Sequence, residues 1–285
     1  MTKTIRILNE NDYYDYEQMD TGIEFDYVGR IFDRLTSGNN RLYGLFLDGQ
    51  LVSVGGYSIY AKSYAMLGRL RSDCRFLGNG FSTDVMNHVL SEVQKLDGIQ
   101  WVGANTQEHN ISAQRVLEKI GLTPHITLHG ALTKDTSALE SGDKLWTPVT
   151  DLERKKEWVN EAYIQTGAVF PYECYYPFPG SADLFPEDKL KQWAFFENAD
   201  KTRFVLTKHD QKKYHYLHTV YPWSDMVSQA GLWETIANDY TKLIPQTDDE
   251  TYIWMDLTKE EAETLPENHQ FELPSPWILY GLEKA

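Results

Sequence analysis

The sequence predicts an α/β (α+β) fold, a mixed and mostly antiparallel central sheet flanked by helices, in two tandem copies. Three observations predict it. Two strand-like runs, "RLYGLFL" and "QLVSVGGYSIY", are separated only by Asp48-Gly49, a strong hairpin signal. An amphipathic helix opens directly after Gly80 and leads into another strand-like run, "IQWVGANT". The same strand–helix–strand order then returns in the second half, where "GLWETIANDYTKLI" begins at Gly231.

The elements follow in order. "TIRIL" reads as a first strand. "NENDYYDYEQ" and "EFDYVGRIFDRL" read as two helical segments, the second with Phe25, Val28, Ile31, Phe32 and Leu35 at helical spacing. "SGNN" is a turn, the hairpin at Asp48-Gly49 follows, and "YAMLGRLRS" pairs as the next antiparallel strand. After Gly80, Phe81, Val85, Val89 and Val93 recur at i, i+4, and Gly98 closes the helix as its C′ residue. Asn110 caps a second helix whose Ala113, Val116, Leu117 and Ile120 share a face, with Lys119 in its last turn and Gly121 after it. "HITLHGALT" is a further strand, and "DTSALESGD" reads as a linker between domains at 1–135 and 144–285.

Composition narrows the functional classes. The 285 residues are 41% hydrophobic and 24% charged, enough apolar matter for a core. The net charge of -15 makes nucleic acid and anionic membranes poor partners; it reads first as a solubility feature, and it could also attract cationic or amine-bearing molecules. Two cysteines make no disulfide framework, which points to a reducing cytosol. The N-terminus has no apolar run to act as a signal peptide, and no segment approaches a membrane span, so a soluble cytoplasmic protein is expected.

The chemistry concentrates at "RFLGNG". A helix N-terminus has unpaired N–H groups and a partial positive charge. Glycines before it permit positive φ and close approach of a ligand to the backbone. Arg75 adds a fixed charge, so Arg75, Gly78 and Gly80 read as a phosphate cradle. A P-loop would need a Lys that is absent. A dinucleotide fingerprint would need glycine where Thr83 stands and an acidic residue after the next strand. Arg-x-x-Gly-x-Gly fits without exception.

With that loop the chain resembles the GNAT N-acetyltransferase superfamily. "NISAQRVLEKIGL", from Asn110 to Leu122, is similar to a second family element, Asn-x-x-[Ala/Ser]…Glu-Lys-x-Gly-[Phe/Leu]. The resemblance covers roughly Thr4 to Lys134 and implies acetyl-CoA as cofactor and a small-molecule or peptide amine as acceptor. It implies that Leu70 and Ser72 pair by backbone with the pantetheine arm. It implies that Phe76, Leu77, Gly78, Asn79 and Gly80, with Arg75, face the pyrophosphate, and that Asn110 lies near the sulfur end.

Amide formation needs a deprotonated amine, a donor for the oxyanion, here a backbone N–H of the splayed strand, and a proton for the leaving thiolate. Many family members supply the proton from a tyrosine where this chain has Leu117. The glutamate that some members use as base is also missing from the strand before Arg75. Asp73, Glu108, His109 and Glu24 are the candidate bases, and a recruited Tyr172, Tyr175 or Tyr176 is a candidate acid. Without a base or acid the same scaffold would be a non-catalytic acyl-CoA-binding or interaction protein.

Other constellations carry less. His125 and His129 lie four residues apart on a strand, about 13 Å, too far for one metal ion. His215 and His218 face opposite sides of a strand. Cys74 precedes the anion loop but lacks an identifiable base for nucleophilic work. "VFPYECYYPFPG" reads as a packed aromatic loop that could wall an acceptor pocket. In the second half Arg75 and Gly78 fall on Met226 and Gln229, so that copy should hold no pyrophosphate.

Overall fold

The computed structural model describes residues 2–282. The chain divides into two compact units: the described residues through Ile126 together with the segment from Ile278, and Thr127–Trp277.

The first unit runs β1 (Lys3–Ile7), α1 (Tyr13–Glu17), α2 (Tyr27–Arg30), α3 (Phe32–Leu35), β2 (Asn40–Leu47), β3 (Gln50–Tyr60), β4 (Tyr64–Ser72), α4 (Phe81–Gln94), β5 (Trp101–Gln107) and α5 (Ile111–Lys119), then enters β6 (Thr123–Thr133). β1 to β4 form an antiparallel meander and β4 pairs with β5 in parallel. Asp48 and Gly49 both take positive φ, 47° and 88°, the twist-matched geometry of a two-residue hairpin. α4 buries Val85, Met86, Val89, Leu90 and Val93 in the same core as Leu67, Ala104, Leu117 and Ile120.

Two local expectations are corrected. Phe25 is not on a helix face: it sits at φ 52°, 91% exposed, and Asp26 behind it caps α2. Ile31, at φ -121°, then breaks the segment into two single-turn helices. Gly98 does take φ 80°, but α4 ends at Gln94 with Lys95 as its cap, so Gly98 turns the connection three residues later.

The second unit continues with β7 (Thr147–Pro148), α6 (Leu152–Val159), β8 (Val169–Glu173), β9 (Tyr176–Pro179), α7 (Glu187–Gln192), β10 (Ala194–Glu197), β11 (Phe204–Gln211), β12 (His215–Val220), α8 (Leu232–Leu243), β13 (Thr251–Leu257) and α9 (Lys259–Glu263). Its strands lie in the order β6-β13-β12-β11-β10-β7, with β12 and β13 parallel. The aromatic stretch read as a loop is a β-hairpin, β8–β9, with Phe170, Cys174 and Phe178 fully buried.

The unit boundaries differ from the division at 1–135 and 144–285. The last strand, β14 (Trp277–Gly281), lies beside β5, and Leu282 N–H donates to the Val102 carbonyl at 3.1 Å. Residues 129–133 of β6 pair antiparallel with β13 instead. The stretch read as a linker is ordered: the Glu234 carboxylate accepts from the Ser141 hydroxyl and the Gly142 and Asp143 amides. Hydrophobic alternation fixes that a segment is a strand; it leaves open which edge that strand joins. Among the described residues, no helix is long and apolar enough to cross a membrane.

Candidate functional site

β4 and β5 pair only from Tyr64↔Trp101 to Leu67↔Ala104. Beyond that, Arg69 takes φ 58°, a left-handed backbone rare for a non-glycine residue, and β4 continues on β3 alone through Ser72. The two parallel strands part before Leu70 and Ser72.

The loop that follows is built from its own side chains. The Asp73 carboxylate is fully buried and accepts from Arg75 N–H at 2.9 Å and Arg75 Nε at 2.8 Å. Arg75 also pairs through its Nη2 with Asp73 and donates to the Gln18 carbonyl at 3.0 Å. Arg75 is therefore an anchor of the loop, with its charge matched locally, and not an unpaired cation. The hydrogen bond to Arg75 holds Asp73 below the usual carboxylate range, the opposite of what a general base needs. Asn79 Nδ2 donates to the Phe76 carbonyl at 3.0 Å, closing the loop on itself. Ser72 and Ser82 hydroxyls, 2.7 Å apart, tie the end of β4 to the first turn of α4.

The cradle lies between these ties. Gly78 and Gly80 have φ 81° and 79°, and a Cβ placed on either would meet nothing within 4 Å. Gly80 is the N-cap of α4, with no side chain capping the helix. The first intrahelical bond is Asp84 N–H to the Gly80 carbonyl, so the amides before it have no intrahelical acceptor. Leu77 and Asn79 are exposed beside them, and Phe76 packs its ring into the core. Open space at two left-handed glycines and a 14-residue helix start without a side-chain cap bring amide donors together at this loop.

The remaining candidates scatter. Asn110 caps α5, its Oδ1 accepting from Ala113 N–H at 3.1 Å, which leaves its Nδ2 for a ligand. Half-buried Glu108 and exposed His109 precede it at the end of β5, and Glu24 is exposed before α2. Tyr172 packs on Phe178 and Trp193, and Tyr175 on Trp254, all within the second unit. Leu117 is 5% exposed in the first unit's core. Leu117→Tyr is therefore expected to cost about 1–3 kcal/mol by overpacking, without a gain in turnover. Chemical denaturation and steady-state rates would check it.

One network escaped the sequence reading. Asp26 accepts from Arg71 Nε and Nη2, both at 2.7 Å, and from the Tyr16 hydroxyl at 2.6 Å. It fastens the α1–α2 segment to β4, where the strand leaves β5. Residues 45 apart in sequence give no local signal of such a pair.

The second unit has the matching turn in closed form. Gly231, φ 77°, is the N-cap of α8, but a Cβ there would meet the Lys144 carbonyl oxygen at 2.1 Å. Gly231 N–H donates to Ser141 Oγ at 3.2 Å, so residues 141–146 cover this helix start. β12 and β13 stay paired through Thr219↔Met255, next to the end of β12. Neither an opening between strands nor a bare helix start is present at this position.

Comparison with known proteins agrees with this geometry. The model of the Acetyltransferase (GNAT) family matches residues 4–122. No curated protein matches the chain. Among solved structures, a GCN5-related N-acetyltransferase from Sphaerobacter thermophilus is similar at TM-score 0.61 and 13% identity, covering 98% of this chain and 95% of that one. A putative acetyltransferase from Pyrococcus horikoshii is similar at TM-score 0.52 and 10% identity, covering 99% and 90%. One from Thermoplasma acidophilum reaches TM-score 0.50 and 15% identity, covering 98% and 91%. At these identities the likeness is one of fold. The family match and the cradle fall on the same residues, and the chain carries in 4–122 a domain of the GNAT acetyltransferase family, a family of acetyl-CoA-dependent acyltransferases.

Proposed function

We propose that the chain is an N-acetyltransferase that moves an acetyl group from acetyl-CoA to the amine of a small molecule or peptide, with its chemistry in the first unit. The observation that carries this is the open cradle at Gly78 and Gly80, immediately below the point where β4 leaves β5. The amides of residues 78–80 and of the first turn of α4 would hold the pyrophosphate; the Phe76 amide already donates to the Asp73 carbonyl at 3.0 Å. The backbone of Leu70 and Ser72 would hold the pantetheine arm, and Asn110 Nδ2 the sulfur end. Bound there, acetyl-CoA supplies a thioester as acyl donor. A backbone N–H of β4 past Leu67 would be the donor that favours the charge developing on the thioester oxygen. Glu108, His109 and Glu24 remain candidates to take the amine proton; Asp73 is set aside because it is fully buried, its oxygens are occupied by Arg75, and that pairing lowers its affinity for a proton. We also propose the cytosol as its compartment, in keeping with two free thiols, Cys74 and Cys174.

The second unit, on this reading, is a degenerate copy of the same fold. Along the chain the order β10-β11-β12-α8-β13-α9-β14 repeats β2-β3-β4-α4-β5-α5-β6, although β14 from Ile278 belongs to the first unit and β6 from Thr127 to the second, and each order has its parallel strand pair around a helix that starts at a left-handed glycine. Residues 141–146 cover the second helix start, so coenzyme A should bind once per chain. Calorimetric titration checks this: a stoichiometry of two would refute the asymmetry.

Activity is tested by thiol release from acetyl-CoA with a panel of amines. The expected result is amine-dependent release, with the amine gaining the mass of one acetyl group. If acetyl-CoA binds and no amine accelerates release, the chain is the non-catalytic acyl-CoA-binding protein that Leu117, in place of the usual tyrosine, would allow.

A further inference from the structure

One face of the second unit's sheet carries charge where apolar residues are usual. In the registers β11/β12 and β12/β13, Lys208 lies opposite His218, Asp210 opposite Tyr216, and His218 opposite Trp254. By the two-residue strand period, Lys208, Asp210, Tyr216, His218, Trp254 and Asp256 all point to one side. The other side holds Val205, Leu217, Ile253 and Met255, in the core with α8. The charged side is not solvated. His218 is fully buried, and Cys174, at the tip of the β8–β9 hairpin, is fully buried against it.

These groups converge. Cys174 Sγ, an Asp210 carboxylate oxygen and a ring nitrogen of His218 lie within 4.8 Å of one another. Asp210 Oδ2 accepts from Cys174 N–H at 2.7 Å, which fixes the thiol beside the carboxylate. His218 Nε2 lies 2.9 Å from Asp256 Oδ2 and donates its proton there, since a carboxylate only accepts. That leaves Nδ1 with a lone pair, buried and without a hydrogen-bond partner. Leaving such an atom unsatisfied costs about 1–3 kcal/mol. The arrangement of a carboxylate orienting a histidine whose other nitrogen is open is that of a metal-bound imidazole.

We propose that Cys174, Asp210 and His218 form a zinc-binding site inside the second unit, pinning the β8–β9 hairpin to the sheet. A sulfur, an imidazole nitrogen and a carboxylate oxygen suit this borderline-soft ion, with a fourth position for water. The neighbouring charges favour it. Three carboxylates, Glu173, Asp210 and Asp256, gather here, with Lys212 paired to Glu173 and Asp210. Lys208 Nζ donates to the Pro171 and Tyr172 carbonyls at 2.6 and 2.7 Å. A cleft of about 180 Å³ lined by Tyr172, Glu173, Lys208 and Asp210 offers an entry path. On binding, the Cys174 S–H bond breaks, an S–Zn bond forms, and one proton passes to solvent.

The test uses the full chain, stripped with a chelator and titrated with Co²⁺ alone, then with Zn²⁺. One cobalt per chain should bind with a thiolate-to-cobalt charge-transfer band that zinc abolishes. Cys174→Ser should lose the band and Cys74→Ser should keep it. Asp256→Asn, at the carboxylate that orients His218 and also accepts from Trp254 Nε1 at 3.0 Å, should weaken binding about 10–100-fold. No band in the folded parent, or a band that survives Cys174→Ser, overturns the site. If Cys174→Ser does not fold, proton release by the parent decides: one proton per zinc supports thiolate ligation, and none contradicts it.

Discussion

Gly80→Val abolishes coenzyme A binding while the protein stays folded. Gly80 stands at φ 79° with open space where a side chain would go. A Cβ meets no atom within 4 Å there, so the main loss to the fold is the cost of a left-handed non-glycine residue, about 1–3 kcal/mol. The ligand loses much more. The isopropyl group fills the cradle, and the amides can no longer reach the pyrophosphate. Each lost bond to a charged oxygen is worth about 1.5–3 kcal/mol, so losing two weakens affinity by ~10²-fold or more. Calorimetry on a variant with a parental circular-dichroism spectrum checks this. Unchanged affinity in that variant would remove the cradle from the account.

The second large effect is on stability. Asp26→Asn leaves the Arg71 guanidinium, only 14% exposed, without its counter-charge, and should cost about 3–5 kcal/mol in denaturant unfolding at neutral pH. Burial pushes the Asp26 carboxyl up, but hydrogen bonds from Arg71, Tyr16 and the Val28 amide outweigh it and hold the group below the usual carboxylate range. A depressed folded value means that its stabilisation is fully present above the unfolded pKa, about 3.9, and is lost as pH falls through the folded one. The gap between parent and variant should therefore be constant above about pH 5 and shrink as acid is added below about pH 4. A gap unchanged down to pH 2 would mean that the Asp26–Arg71 pair is not what the substitution removes.

What could be read from the sequence was what local chemistry dictates. Asp48-Gly49 specified a hairpin because few residue pairs adopt two positive φ angles in succession. The i, i+4 valines specified α4, and Asn110 specified the start of α5 through its own side-chain bond to Ala113. The loop glycines were legible because positive φ before a helix is a backbone demand that few other residues meet. Long-range pairing was not. Nothing in "HITLHGALT" or "PWILYGLEK" says which parallel strand each will join, and the structure gives β14 to β5 and residues 129–133 to β13. Phe25 was misplaced because periodicity counts positions and is blind to the Asp26 cap that begins the helix after it. Asp73 looked like a candidate base until the fold turned Arg75 back onto it. The Cys174–Asp210–His218 convergence draws on a hairpin and two strands spread over 45 residues, and only the strand register brings them together.

The central claim is that one coenzyme A lies with its pyrophosphate on the Gly78–Gly80 loop and its pantetheine arm in the gap where β4 leaves β5. A crystal structure of the full chain soaked with acetyl-CoA measures this directly. The expected result is pyrophosphate density within hydrogen-bond distance of the amides of residues 78–82, an arm running along Leu70 and Ser72, and none at Gly231. Density at the start of α8, or a cofactor bound away from the loop at Gly78, would contradict it.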